Sequence, residues 1–142
     1  YNDAHRDAKL AGCVARSAVA VDPALLLVGP AGSALEKAAA GAGLQFVREA
    51  FGDRRYTSSG TLVPRSREDS LLLDLDQAAG QVVSLARAGQ VTSVDGVSVA
   101  VAFDTVCVHG DMPGAVERIR TIRASLREGG FNLGAVTQEP DR

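Results

Sequence analysis

Apolar residues recur along the chain in two rhythms that alternate. Leu10, Val14, Ala18 and Val21 stand three to four positions apart, which predicts a helix over residues 3–21 ending near Asp22-Pro23. Leu25-Leu26-Leu27-Val28 is a continuous apolar run, the pattern of a strand buried on both faces. Gly29 to Gly32 turns the chain. Ser33-Ala34-Leu35-Glu36 then forms a capping box, whose hydroxyl and carboxylate satisfy orphan amides of a helix reaching about Ala40. Gly41 and Gly43 stop it. Residues 44–49 give a second strand, and a polar stretch from Gly52 to about Ser70 reads as a long loop.

The alternation then resumes. Asp76 to Ala88 is amphipathic, with Ala79, Val82, Val83 and Ala86 on one face and Gly89 at its end. Val91 to Val101 places Asp95-Gly96 between alternating apolar residues, a tight β-hairpin signal. Thr105 to Val108 is a third buried strand. Pro113 suits a first helical turn, and Val116, Ile119, Ile122 and Leu126 form the stripe of a last helix closed by Gly129-Gly130. The tail after Phe131 reads as loose.

This order predicts an α/β fold in which right-handed crossovers join parallel strands, all in a single domain over residues 1–142. Three parallel strands leave unpaired edges, so a further copy or a preceding piece of chain is expected to cover them. The chain opens on Tyr1 and its only methionine is Met112, which suggests a piece of a longer polypeptide.

Composition narrows the function classes. A net charge of −2 from well-mixed charges, with 4% aromatic residues, argues against nucleic-acid binding and against a sugar-stacking platform. No run approaches a membrane span and no signal-peptide pattern occurs, so no membrane partner is expected and a cytoplasmic protein is the default. Cys13 and Cys107 lie in apolar stretches without metal spacing, the pattern of small buried reduced hydrophobes.

Chemistry gathers where strands end. Glu49 and Asp53 flank the end of the second strand, where two carboxylates can share a proton, bind a metal or orient a nucleophile. The alternative is a solvated pair, or ion pairs to Arg54 and Arg55. Tyr56, Thr61 and Arg65 add hydrogen-bonding groups, and Arg65 suits a carboxylate-bearing substrate. His109 ends the third strand as a candidate general acid/base or metal ligand, with Asp111 beside it to orient it or take a proton. The competing reading makes Asp111 a helix N-cap ahead of Pro113. His5 is read as a surface histidine on the first helix. The Gly29–Ser33 turn lacks the endings of a P-loop or a dinucleotide fold, and no nucleophile elbow, zinc-protease motif or Cys-x-x-Cys pair occurs.

Glu49, Phe51, Asp53, Arg54, Tyr56, Gly60, Leu62, Val63, Pro64, Arg65 and Ser66 fit one family signature, and Cys107 to Gly114 fit a second. On these motifs the chain closely resembles the LamB/YcsF family. Gly52 stands where that family usually has Ala, and Met112 where it usually has Thr. The resemblance implies the later part of a distorted seven-stranded (β/α) barrel of the glycoside hydrolase/deacetylase type, with a long loop and a β-hairpin insertion. It also implies ATP-dependent opening of 5-oxo-L-proline to L-glutamate, together with separate B and C subunits. In that setting His109, Asp111, Glu49 and Asp53 are the expected catalytic group, and Arg54, Tyr56 and Arg65 the expected substrate contacts. ATP is the expected cofactor. The alternatives are a deacetylase-like hydrolase using a divalent metal at His109, or a catalytically inactive fragment.

Overall fold

The structure, a computed structural model, describes residues 1–136; the end of the expected loose tail, 137–142, lies outside the described residues. The chain divides into two compact units. The first comprises Tyr1–Glu49, Phe103–Thr105 and residues 135–136, and the second Ala50–Ala102 and Val106–Gly134.

In the first unit, helix α1 spans Ala8–Val21. It starts at Ala8, not at residue 3, because the Asp7 carboxylate caps it by accepting from the amides of Lys9 and Leu10. His5 therefore lies in the preceding turn, half-buried, with the Tyr1 ring edge-on at 3.9 Å. Burial, aided by the charges of the N-terminus and Arg6, holds the His5 pKa below its usual value. The buried stripe of α1 also differs from expectation: Ala11 and Ala15 are buried, whereas Leu10 is 42% and Val21 81% exposed. Small side chains let α1 approach the Ala39 and Leu44 cluster closely, which the bulkier apolar positions would prevent. Cys13 is exposed, contrary to expectation, and accepts a hydrogen bond from Arg16 Nη2 at 3.3 Å; Cys107 is half-buried.

Strand β1 (Leu26–Gly29) runs parallel to β2 (Gln45–Phe51), with Leu27 opposite Phe46. Expected to be buried on both faces, β1 is not, since Val28 is 43% exposed. Leu27 packs on the α1–α2 cluster and Val28 points the other way, so that cluster covers one face of this edge strand. Helix α2 (Ala34–Gly41) begins at the predicted capping box. Ser33 Oγ accepts from the Glu36 amide, while the Glu36 carboxylate accepts from the Gly32 amide at 2.6 Å and from Arg48 Nε at 2.7 Å. Burial alone would raise the Glu36 pKa, but these two donors outweigh it and hold the group below its usual range.

In the second unit, helix α3 (Leu75–Ala88) starts on the Asp74 cap and ends at Gly89, close to the predicted bounds. Strands β3 (Gln90–Thr92) and β4 (Ser98–Ala100) form the predicted hairpin. Its turn closes from the Gly96 amide to the Ser93 carbonyl, and Gly96 follows at φ +78°, a conformation that favours glycine. Helix α4 covers Ala115–Glu128. Pro113 lies outside it, because Gly114 occupies the N-cap at φ +75°. The buried stripe is Arg118, Ile122 and Leu126, while the expected Val116 and Ile119 are 57% and 44% exposed. Ile122 and Leu126 pack with Leu72, Ala78, Ala79 and Val82 to form this unit's core.

Strand β5 (Thr105–Cys107) is half-buried, not the fully buried strand expected. The sheet order is β1-β2-β5. The Asp104 amide donates to the Arg48 carbonyl, and further along both segments the Gly52 amide donates to the Cys107 carbonyl. Both numberings rise together, so β2 and β5 are parallel, as predicted. β2 and β5 each pass from the first unit into the second. Among the described residues, no helix is long and apolar enough to cross a membrane.

Candidate active site

Within the second unit, β2 and β5 deliver Asp53 and His109 to one place. Asp53 has 0% exposure, and both of its carboxylate oxygens meet His109. Oδ2 accepts from the His109 backbone amide at 2.7 Å, and Oδ1 lies 2.8 Å from ring Nδ1. An ionised carboxylate only accepts hydrogen bonds, so Nδ1 carries the proton and Nε2 is left as the ring's working atom. The Phe51 ring stacks on the imidazole at 5.6 Å between centroids and 16° between planes. The His109 side chain is 18% exposed.

The polar stretch after β2 is a pinned strap. Leu72 N donates to Asp53 O, Arg55 N to Ser70 O and Val63 N to Arg55 O, so the strap folds back on itself. Arg54, 5% exposed, donates from Nη2 to the Val63 carbonyl at 2.7 Å and from Nε to the Ser70 carbonyl. Burial, with the nearby Arg65 charge, lowers the Arg54 pKa, while Asp53 and Tyr56 oppose the shift. The Tyr56 hydroxyl is buried and accepts from the Phe51 amide at 2.8 Å. From α3, Gln81 Nε2 donates to the carbonyls of Phe51 and Arg54. Gln81 is a site residue that sequence patterns did not single out, and Phe51 was marked only as part of the family signature, without a role. A glutamine one position from buried Val82 on an amphipathic helix was the available signal.

The other expected residues are placed differently. Arg65 and Asp111 face each other at 3.9 Å, with side chains 52% and 68% exposed, a loose pair of little energetic weight. Asp111 is not a helix cap, since Gly114 holds that position. Glu49 is half-buried in β2 and belongs to the first unit. Among the described residues, no three His, Cys, Asp or Glu side chains converge as metal ligands.

Gly52 lies between Asp53 and the core. A Cβ there would stand 2.7 Å from Val82 Cγ2, 3.3 Å from Val108 Cγ2 and 3.4 Å from Val106 Cγ1. The glycine thus fits a chain in which Val82 fills the space a methyl would need. Gly52→Ala should destabilise the protein by about 1–3 kcal/mol, the usual cost of overpacking. Adding Val82→Ala should recover part of that loss, read as a positive coupling in a denaturation double-mutant cycle. Additive losses would show that the contact is relieved elsewhere.

The chain is similar to known proteins over most of its length. The chain is 44% identical over 135 residues to the A subunit of 5-oxoprolinase from Symbiobacterium thermophilum, covering 95% of this chain and 52% of that protein. It is likewise 44% identical over 135 residues to the A subunit of 5-oxoprolinase from Bordetella parapertussis, covering 95% of this chain and 54% of that protein. The crystal structure of the lactam utilization protein from Thermus thermophilus superposes with a TM-score of 0.85 at 40% identity, covering 92% of this chain and 51% of that one. The chain therefore spans about half the length of the relatives it matches. The LamB/YcsF family matches residues 1–141, and the chain belongs to that family.

Proposed function

We propose that this chain is the later part of an A subunit of ATP-dependent 5-oxoprolinase, working with B and C subunits to open 5-oxo-L-proline to L-glutamate. The supporting observation is the buried Asp53–His109 pair at the ends of β2 and β5, in a chain 44% identical to proteins of that name. In this reading the sheet is part of a seven-stranded (β/α) barrel, and the parent protein is cytoplasmic. Further strands cover the exposed edge of β1, supplied by the rest of the parent protein or by another copy.

A lactam is a stable amide, so hydrolysis needs its carbonyl oxygen made a better electron sink. Phosphoryl transfer from ATP to that oxygen does this; water then adds at the carbon, the C–N bond breaks to leave a γ-glutamyl phosphate, and a second water releases inorganic phosphate and L-glutamate. The departing nitrogen needs a proton. His109 Nε2, unprotonated while Nδ1 is held by Asp53, is the group we assign to take a proton from the attacking water and deliver it to that nitrogen. Arg65 is half-exposed and held only loosely by Asp111, so it is free to turn to the substrate carboxylate. Asp111 then faces the opening ring as a proton acceptor. Glu49 supports the end of β2.

Arg54 and Tyr56, expected as substrate contacts, are assigned instead to holding the strap, because their polar atoms bond Val63, Ser70 and Phe51. The deacetylase-like alternative has no three-ligand metal cluster among the described residues to build on. In this reading a divalent ion accompanies ATP.

The direct test is ATP hydrolysis by the polypeptide carrying this segment, assembled with B and C subunits. Turnover that depends on 5-oxo-L-proline and releases L-glutamate is the expected result. ATP hydrolysis indifferent to 5-oxo-L-proline, or none, would overturn the assignment.

A further inference from the structure

Arg118 stands in the first turn of α4 with 2% of its surface exposed, and two guanidinium nitrogens, Nε and Nη1, are buried without a partner among the described residues. A guanidinium does not lose its proton at neutral pH, so burying it unpaired is strongly unfavourable unless an anion completes it. The helix head beside it is also open. Its N-cap, Gly114, has no side chain to cap with. Ala115 N reaches the Met112 carbonyl and Arg118 N the Gly114 carbonyl, but the amides of Val116 and Glu117 have no backbone acceptor among the described residues. Glu117, the acidic residue of this turn, leans along the helix toward Arg120 at 4.0 Å.

Direction follows from helix geometry. Side chains lean toward the N-terminus, which directs Arg118 from its place on α4 toward the first turn and the loop entering it. One turn further on, Ile122 packs in the cluster that holds Val106 and Val108, the residues leading to His109.

We propose that the head of α4 is a phosphoryl-binding site formed by Arg118 and the amides of Val116 and Glu117. A tetrahedral phosphoryl group offers enough oxygens to meet both the guanidinium fork and the two amides, whereas a carboxylate fills the fork alone. The link to ATP rests on the proposed function; the binding itself does not, and its test needs no turnover.

The test is titration of the purified polypeptide carrying this segment with inorganic phosphate, with acetate at matched ionic strength as the comparison. Phosphate should bind saturably, raising Tm by about 3–5 °C at ten times its Kd. In amide NMR, the signals of Val116 and Glu117 should move most. Arg118→Met should abolish the response while leaving the ligand-free Tm equal or higher, because a buried unpaired charge has been removed. No saturable response in the unaltered chain would overturn the site. So would an Arg118→Met variant that responds unchanged, or acetate producing the same Arg118-dependent shift. The amide shifts of the unaltered chain decide the matter even if the variant does not fold.

Discussion

Asp53→Asn should lower 5-oxo-L-proline-dependent turnover of the assembled enzyme by about two to four orders of magnitude, the span for a disabled general acid–base group. Both Asp53 oxygens face His109, one toward its backbone amide and one toward Nδ1. Asn can replace only one of these acceptors. Its amide nitrogen then presents N–H groups to the second position, which favours the tautomer with the proton on Nε2. A histidine so arranged no longer offers the same atom to the substrate, as happens when the orienting carboxylate of a serine-protease triad becomes an amide. Stability should fall by only about 1–3 kcal/mol, because two charge-assisted hydrogen bonds become neutral ones and the volume is kept. Loss of turnover in a folded protein, with ATP affinity retained, is the signature sought. Near-normal turnover would reduce Asp53 to a structural residue.

Arg54→Ala should have the largest effect on stability, about 2–4 kcal/mol in chemical denaturation. The guanidinium is the donor to the Val63 carbonyl, and Val63 is itself 0% exposed. Removing it leaves a buried acceptor unmet and a void where the side chain lay. The Ser70 carbonyl suffers less, because the Arg55 amide also reaches it. Relief of the arginine's own desolvation, visible in its lowered pKa, offsets part of the loss and keeps the figure below that of a large core truncation. The strap should become sensitive to limited proteolysis between residues 57 and 69. A change within about 0.5 kcal/mol, the range of ordinary surface substitutions, would mean that the strap is held without Arg54.

How much of this was legible in the sequence depends on the range of the interaction. Helix α3, its Gly89 stop, the Ser33 capping box and the hairpin at Gly96 follow from residues a few positions apart, and their patterns predicted them. Helices α1 and α4 were found but turned by a position or so. Their buried stripes use Ala11, Ala15 and Arg118, which apolar counting ranks below Leu10, Val21 and Ile119. The stretch from Gly52 to Ser70 read as a loop because its order comes from single bonds, Arg54 to Val63 and Tyr56 to Phe51, that carry no period. Asp53 and His109 lie 56 positions apart. Strand-end placement marked each as a candidate, and family motifs joined them, but only the fold shows that both carboxylate oxygens serve one histidine. Asp111 illustrates the reverse, since a helix cap was the competing local reading and Gly114 holds that place.

The account turns on which ring nitrogen of His109 carries the proton, and nitrogen NMR of the imidazole measures it. The prediction is that the neutral ring carries its proton on Nδ1, bonded to Asp53, with that preference lost in Asp53→Asn. A ring protonated on Nε2 alone, or one whose tautomers do not respond to Asp53→Asn, would contradict it.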